Sequence, residues 1–135
     1  MSASTPTPPL AKTWRGQGTV LVVDDEFAVR HTVARLVAHF GFQVREADSG
    51  SAALAYFLAG GKADLVMLDL SMPGMDGLTT VRELHKLAPA PHLVLFSGLS
   101  EADAMHRFQN CGVTRFLQKP FSLDMLRDTL RSVFG

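Results

Sequence analysis

Asp24, Asp25 and Glu26 stand in a row directly after the apolar run Val20–Val23, Asp69 directly after Leu65–Leu68, and Ser97 directly after Leu93–Phe96. Lys119 follows the run Val113–Leu117 one residue further on, with Pro120 behind it. If these runs are strands of one sheet, their ends bring several carboxylates and one ammonium to a single rim. Carboxylates crowded in that way repel one another unless a cation neutralises them. A hard divalent ion answers that need. Oxygen donors in a small, partly hydrated cluster select Mg2+, which takes one or two carboxylates and keeps several waters, with Mn2+ as the substitute. Zinc does not fit, because no His or Cys occupies these positions. The competing reading of Asp24–Glu26 is a helix cap, where acids meet the positive end of the helix dipole. Capping explains neither Asp69 nor Lys119. Lys119-Pro120 is either a plain turn device or a cis bond in a specified turn that aims the ammonium at the acids.

The elements between these residues follow from periodicity. Val20–Val23 is a continuous apolar run suited to a strand covered on both faces. Val29, Val33, Leu36, Val37 and Phe40 repeat at helical spacing and stop at Gly41. A strand over 42–47, an alanine-rich helix over 49–58 closed by Gly60-Gly61, and a third strand over 65–68 come next. Leu78, Val81, Leu84 and Leu87 mark a third helix that Pro89 and Pro91 stop. A fourth strand over 93–96, a helix over about 100–110, a fifth strand over 113–117 and a helix over about 122–133 complete five strand-helix units. Such alternation demands right-handed crossovers and a parallel sheet with helices on both faces. The economical solution is a flavodoxin-like (βα)5 doubly wound α/β sheet, strand order 2-1-3-4-5, whose ligands bind beyond the carboxyl ends of the strands. Residues 1–18 are Pro, Ser and Thr rich and lack periodicity, which predicts a tail or linker ahead of one domain over 19–135.

Composition narrows the classes. The chain has 135 residues, 47% of them apolar and 19% charged, which suits one folded domain. Its 13 basic and 13 acidic side chains cancel, so no overall field favours nucleic acid or anionic lipid. No apolar run approaches the roughly 18 residues that span a bilayer, and one cysteine, Cys111, forms no internal disulfide framework. The expected compartment is cytoplasmic.

Four segments together resemble a known family. Val20-Leu21-Val22-Val23-Asp24-Asp25-Glu26, Asp69-Leu70-Ser71-Met72-Pro73-Gly74-Met75-Asp76-Gly77, Ser97-Gly98 and Phe116-Leu117-Gln118-Lys119-Pro120-Phe121 are similar, in order and placement, to response-regulator receiver domains of two-component signalling. The resemblance covers Thr19 to the C-terminus. It implies that Asp69 accepts a phosphoryl group from a histidine kinase, a phosphotransfer domain or a small phosphodonor. It implies Mg2+ held by Asp24, Asp25, Asp69 and the Ser71 main-chain carbonyl, with Lys119 clamping first the acceptor carboxylate and then a phosphoryl oxygen. Ser97 and Phe116 resemble a switch pair: the hydroxyl engages the phosphoryl group and the ring turns into vacated space. Taken alone, they read as a turn serine and a core aromatic. The loose, highly charged transition state of phosphoryl transfer makes a metal and a lysine clamp chemically apt.

Three rival readings compete with this one. A haloacid-dehalogenase-type phosphatase also uses a strand-end Asp with magnesium, but wants a second Asp where this chain has Ser71. Only slow self-dephosphorylation is therefore expected, with Ser71 and Leu99 influencing the phosphoryl lifetime, and no other enzyme activity. A flavin binder would need a hydroxyl- and glycine-rich phosphate loop after the first strand, where Asp24-Asp25-Glu26 would repel phosphate. A docking module with a receiver fold and no phosphorylation is the remaining alternative. In relatives the face of the fourth predicted helix, fifth strand and fifth helix meets partners, so a downstream protein is expected there, with the chain a monomer or weak dimer. Direct nucleic-acid or membrane contact is not expected. The Pro-rich lead-in resembles linkers that join receivers to hybrid sensor kinases, and a stand-alone regulator is the other arrangement.

Overall fold

The computed structural model describes residues 15–70, 77–98, 102–103, 106 and 115–134. Five parallel strands, β1 (Thr19–Val23), β2 (Gln43–Ala47), β3 (Leu65–Asp69), β4 (His92–Ser97) and β5 (Phe116–Gln118), pair in the order β2-β1-β3-β4-β5. The described helices are α1 (Phe27–His39), α2 (Gly50–Leu58), α3 (Gly77–His85) and α4 (Leu123–Phe134). This is the flavodoxin-like doubly wound α/β sheet expected from the alternation of elements. The helix expected over 100–110 lies outside the described residues except for Ala102, Asp103 and His106, which are helical. Trp14 and Cys111 also lie outside them.

The continuous apolar runs are explained by two cores, one on each face of the sheet. Leu21, Val23, Val66, Leu68 and Leu95 point to the α2–α3 side and meet Ala53, Val81 and Leu84. Their alternate neighbours Val20, Val22, Leu65, Met67, Val94 and Phe96 point the other way, onto Val33 and Val37 of α1 and Leu126 and Leu130 of α4. Period-two alternation in the backbone therefore needs apolar residues at every strand position. Burying each such side chain contributes roughly 1.5–3 kcal/mol, which fixes the register. That register sets Asp69 opposite Phe96 and Ser97 opposite Gln118.

Local signals close the helices. Ser49 Oγ accepts the Ala52 N–H at 3.0 Å at the start of α2, and Ser122 Oγ accepts the Met125 N–H at 3.1 Å at the start of α4. Gly41, at φ 102°, turns the chain from α1 into β2, a conformation that penalises any residue with a Cβ. Residues 15–18, assigned to a linker on composition, are tied to this turn. Gly16 N–H donates to Phe40 O at 2.7 Å, and Gln43 N–H donates to Gly18 O at 2.9 Å. Composition does not reveal such backbone pairing, because it involves no side chain. No helix among the described residues is long and apolar enough to cross a membrane.

Candidate functional site

The sheet delivers its polar residues to one rim. Asp69 is the last residue of β3 and Ser97 the last of β4, while Asp24 follows β1 and Lys119 follows β5. Backbone bonds stitch these ends together. Asp24 N–H donates to Ala47 O at 3.1 Å, Leu70 N–H to Phe96 O at 3.1 Å, and Lys119 N–H to Ser97 O at 2.7 Å. Asp24 and Ser97 are fully buried and Asp69 is 2% exposed, whereas Asp25 is exposed at the mouth.

Carboxylate oxygens of Asp24, Asp25 and Asp69 all lie within 4.8 Å of one another. Lys119 Nζ is 3.5 Å from Asp24 Oδ2 and 3.7 Å from Asp69 Oδ1, with its side chain about one quarter exposed. It also sits 4.9 Å from the centroid of the Phe96 ring, over its face. The Lys119–Pro120 bond is cis. Removing a carboxylate from water costs several kcal/mol, and a partner at about 4 Å returns about 4 kcal/mol at an effective dielectric of 20. One ammonium among three carboxylates leaves a formal charge of −2. An all-oxygen donor set with that residual charge fits a small hard divalent cation such as Mg2+ and does not suit zinc.

The capping alternative accounts for one oxygen only. Glu26 occupies the N-cap position of α1 but its side chain makes no capping hydrogen bond, and the first turn of α1 carries no acid. Asp24 Oδ1 accepts the Glu26 N–H at 2.9 Å, which leaves Oδ2 facing Lys119.

Phe116 pairs with Leu95, two residues before Ser97 on β4, so by strand alternation Phe116 and Ser97 belong to the same face of the sheet. Phe116 is half-buried and packs against the α2–α3 core. Ser71, expected to supply a metal-binding carbonyl, and Leu99, expected with Ser71 to influence the phosphoryl lifetime, lie outside the described residues.

Sequence reasoning missed Arg30. Its Nη1 donates to the Asp24 carbonyl at 2.9 Å and its Nε to Glu46 Oε1 at 3.0 Å. An arginine in the first turns of α1 after an acidic cluster was the available signal, but the end of β2 had to be brought alongside to make it meaningful. An open apolar groove of about 620 Å³ runs beside the rim, between Ala28, Thr32 and Leu36 of α1 and the segment Lys119 to Phe121.

Comparison with known proteins agrees with this geometry. The chain is 40% identical over 119 residues to the sensor kinase CckA of Brucella abortus (strain 2308), covering 87% of this chain and 13% of that protein. It is 27% identical over 112 residues to sporulation initiation phosphotransferase F of Bacillus subtilis (strain 168), covering 83% of this chain and 90% of that one. The chain thus spans a small part of some relatives and nearly the whole of others. Among solved structures, the chemotaxis response regulator CheY4 of Vibrio cholerae superposes with a TM-score of 0.78 at 26% identity, covering 87% of this chain and 99% of that chain. The signal receiver domain of a signal transduction histidine kinase from Syntrophus aciditrophicus gives a TM-score of 0.75 at 25% identity, covering 87% and 89%. The family model described as "Response regulator receiver domain" matches residues 20–131, and the chain belongs to that family, the receiver domains of two-component signalling.

Proposed function

We propose that Asp69 is the phosphoacceptor of this receiver, taking a phosphoryl group from a phosphohistidine or a small phosphodonor. The observation that carries this reading is a nearly buried carboxylate flanked by two further carboxylates and one lysine at the carboxyl ends of a parallel sheet. In the reaction an Asp69 carboxylate oxygen attacks phosphorus and a P–O bond forms; with phosphohistidine the P–N bond breaks and the imidazole leaves, and with acetyl phosphate the P–O bond to the acetyl group breaks and acetate leaves. The product is an acyl phosphate, reactive enough to serve as a reversible signal.

Asp24, Asp25 and Asp69 would hold Mg2+, with the Ser71 carbonyl as a further ligand. When bound, the ion supplies neutralisation of the charge that grows on the phosphoryl oxygens. Lys119 supplies the second clamp: it balances Asp69 before transfer and pairs with a phosphoryl oxygen afterwards. Ser97 donates its hydroxyl to that group, and Phe116, on the same face of the sheet, follows the shift. The surface of β5 and α4 then changes what it presents to a downstream protein. A protein donor would reach Asp69 past the groove that Lys119 lines, and an apolar helix carrying phosphohistidine fits its chemistry. Self-dephosphorylation is slow, and the identities of Ser71 and Leu99 would influence its rate. Identity to both a sensor kinase and a separate phosphotransferase supports a place within a phosphorelay.

The deciding experiment is incubation with acetyl phosphate and Mg2+, followed by mass spectrometry of borohydride-trapped peptides. Labelling at Asp69 that vanishes in Asp69→Asn and in EDTA is expected. Labelling elsewhere, or none, would overturn the assignment.

A further inference from the structure

Asp24 is held at all four of its polar groups. Its N–H donates to Ala47 O at 3.1 Å, Oδ1 accepts the Glu26 N–H at 2.9 Å, Oδ2 faces Lys119 at 3.5 Å, and its carbonyl accepts from Arg30 Nη1 at 2.9 Å. The last contact comes from outside the acidic rim. Arg30 sits in the second turn of α1, where its own N–H donates to Glu26 O at 2.9 Å, and its side chain is only 14% exposed. Its guanidinium spans two acceptors, Glu46 Oε1 at 3.0 Å and the Asp24 carbonyl. The second oxygen of Glu46 faces His31 Nδ1 at 3.4 Å. Glu46 neighbours Ala47, the acceptor of the Asp24 N–H, and pairs in register with Val22 of β1. The end of β2 therefore grips Asp24 at its amide through the backbone and at its carbonyl through the Glu46–Arg30 pair.

The carbonyl that Arg30 holds belongs to the peptide joining Asp24 to Asp25. Rotation of that peptide plane would swing the Asp25 carboxylate relative to those of Asp24 and Asp69. We propose that Arg30, held by Glu46, is a positioning residue that fixes the Asp24–Asp25 peptide and so tunes the affinity of the carboxylate cluster for Mg2+. The inference rests on the magnesium reading given above. Arginine suits the task because its planar fork serves two acceptors at once, which a lysine ammonium does less rigidly. Groups that orient metal ligands from behind typically change metal affinity 10- to 100-fold when lost.

Charge alone predicts the opposite sign. A cation removed from the neighbourhood of a metal site strengthens binding of a second cation, so Arg30→Met would tighten Mg2+ if Arg30 acted only through its field. If it acts by holding the peptide, the same change loosens Mg2+.

Calorimetric titration of the full, unphosphorylated chain with Mg2+ reads this directly, with thermal melting in EDTA alongside. Arg30→Met is expected to weaken Mg2+ about 10-fold, Arg30→Lys less, and Glu46→Gln in the same direction as Arg30→Met. The double variant should be no worse than the more affected single one, because both changes break the same grip. If Arg30→Met does not fold, Arg30→Lys decides, since it keeps the charge and loses only the planar fork, whereas loss of the Glu46 charge weakens Mg2+ by field alone. Unchanged or tighter Mg2+ in these variants, beside a wild type that binds Mg2+, would overturn this inference and leave the phosphoacceptor site intact. A lowered melting point with unchanged Mg2+ affinity would mark Arg30 as structural only and overturn it equally. A wild type that binds no Mg2+ would overturn both readings.

Discussion

Lys119 Nζ stands 3.7 Å from Oδ1 of Asp69 while also facing Asp24 at 3.5 Å, so one ammonium is shared between two buried carboxylates. Neither distance is a tight ion pair. A shared, loosely held lysine is free to move to a phosphoryl oxygen without first breaking a strong bond. Lys119→Met is therefore expected to slow labelling by acetyl phosphate about 100-fold, in the range for loss of one transition-state donor. Mg2+ binding should persist, since all three carboxylates remain. Initial labelling rates at saturating Mg2+, set beside calorimetry, check the split.

Carboxylates within 4.8 Å of one another cost stability when no divalent ion is present. Asp69→Asn removes two repulsions and one attraction to Lys119, a net gain on the order of 1–3 kcal/mol. The variant should melt several degrees above wild type in EDTA. In Mg2+ the order narrows, because ten times Kd of ligand stabilises wild type by about 1.4 kcal/mol. Calorimetric melts with and without the ion test both statements; equal melting points in EDTA would show that the cluster is not strained.

Ser97 is fully buried at the end of β4 and its carbonyl receives the Lys119 N–H at 2.7 Å. Ser97→Ala keeps that backbone bond and removes only the hydroxyl. Labelling of Asp69 should persist within about tenfold, the cost of one hydrogen bond. The chemical-shift changes that phosphorylation produces around Phe116 should shrink. Full shifts in the variant would remove Ser97 from the switch.

The groove beside the rim offers a way to separate small from large donors. Thr32 is an exposed residue on its α1 wall. Thr32→Arg should leave labelling by acetyl phosphate unchanged and slow transfer from a phosphohistidine protein at least tenfold. Equal slowing with both donors would mean that the groove does not receive the protein donor.

Gly50 opens α2 directly against Thr80 of α3. A Cβ there would collide with Thr80 Oγ1 and come within 3.3 Å of Thr80 Cβ and Cγ2. Thr80 is fully buried. Alanine gains up to about 1 kcal/mol in helix propensity, but overpacking costs about 1–3 kcal/mol. Gly50→Ala is expected to lose about 1–2 kcal/mol by urea unfolding, with Asp69 labelling retained.

Much of this was legible in the residues because burial acts on short, local patterns. Val20–Val23 and Leu65–Leu68 read as strands covered on both faces, and the two cores receive alternate members of each run. Asp24, Asp25, Asp69 and Lys119 stood out because charged side chains follow apolar runs directly or one residue further on, at one rim of the expected sheet. What stayed hidden depends on pairs with no shared local signal. Gly16 bonds to Phe40 through backbone atoms alone, and Phe42, expected in the second strand, instead precedes it and packs on Phe134 at 5.0 Å. Arg30 gains its meaning only when β2 lies beside β1 and brings Glu46 within reach.

The linear order of residues determined the class of fold, the rim at which chemistry is placed, and the identity of its carboxylates and lysine, because apolar periodicity and residue type are properties of the chain itself. Only the tertiary structure decided that Lys119 is shared between two acids, that Glu26 does not cap α1 with its side chain, and that Arg30 grips the Asp24 carbonyl. Those are matters of distance and direction between remote segments, and they exist only once parallel strands have fixed their register.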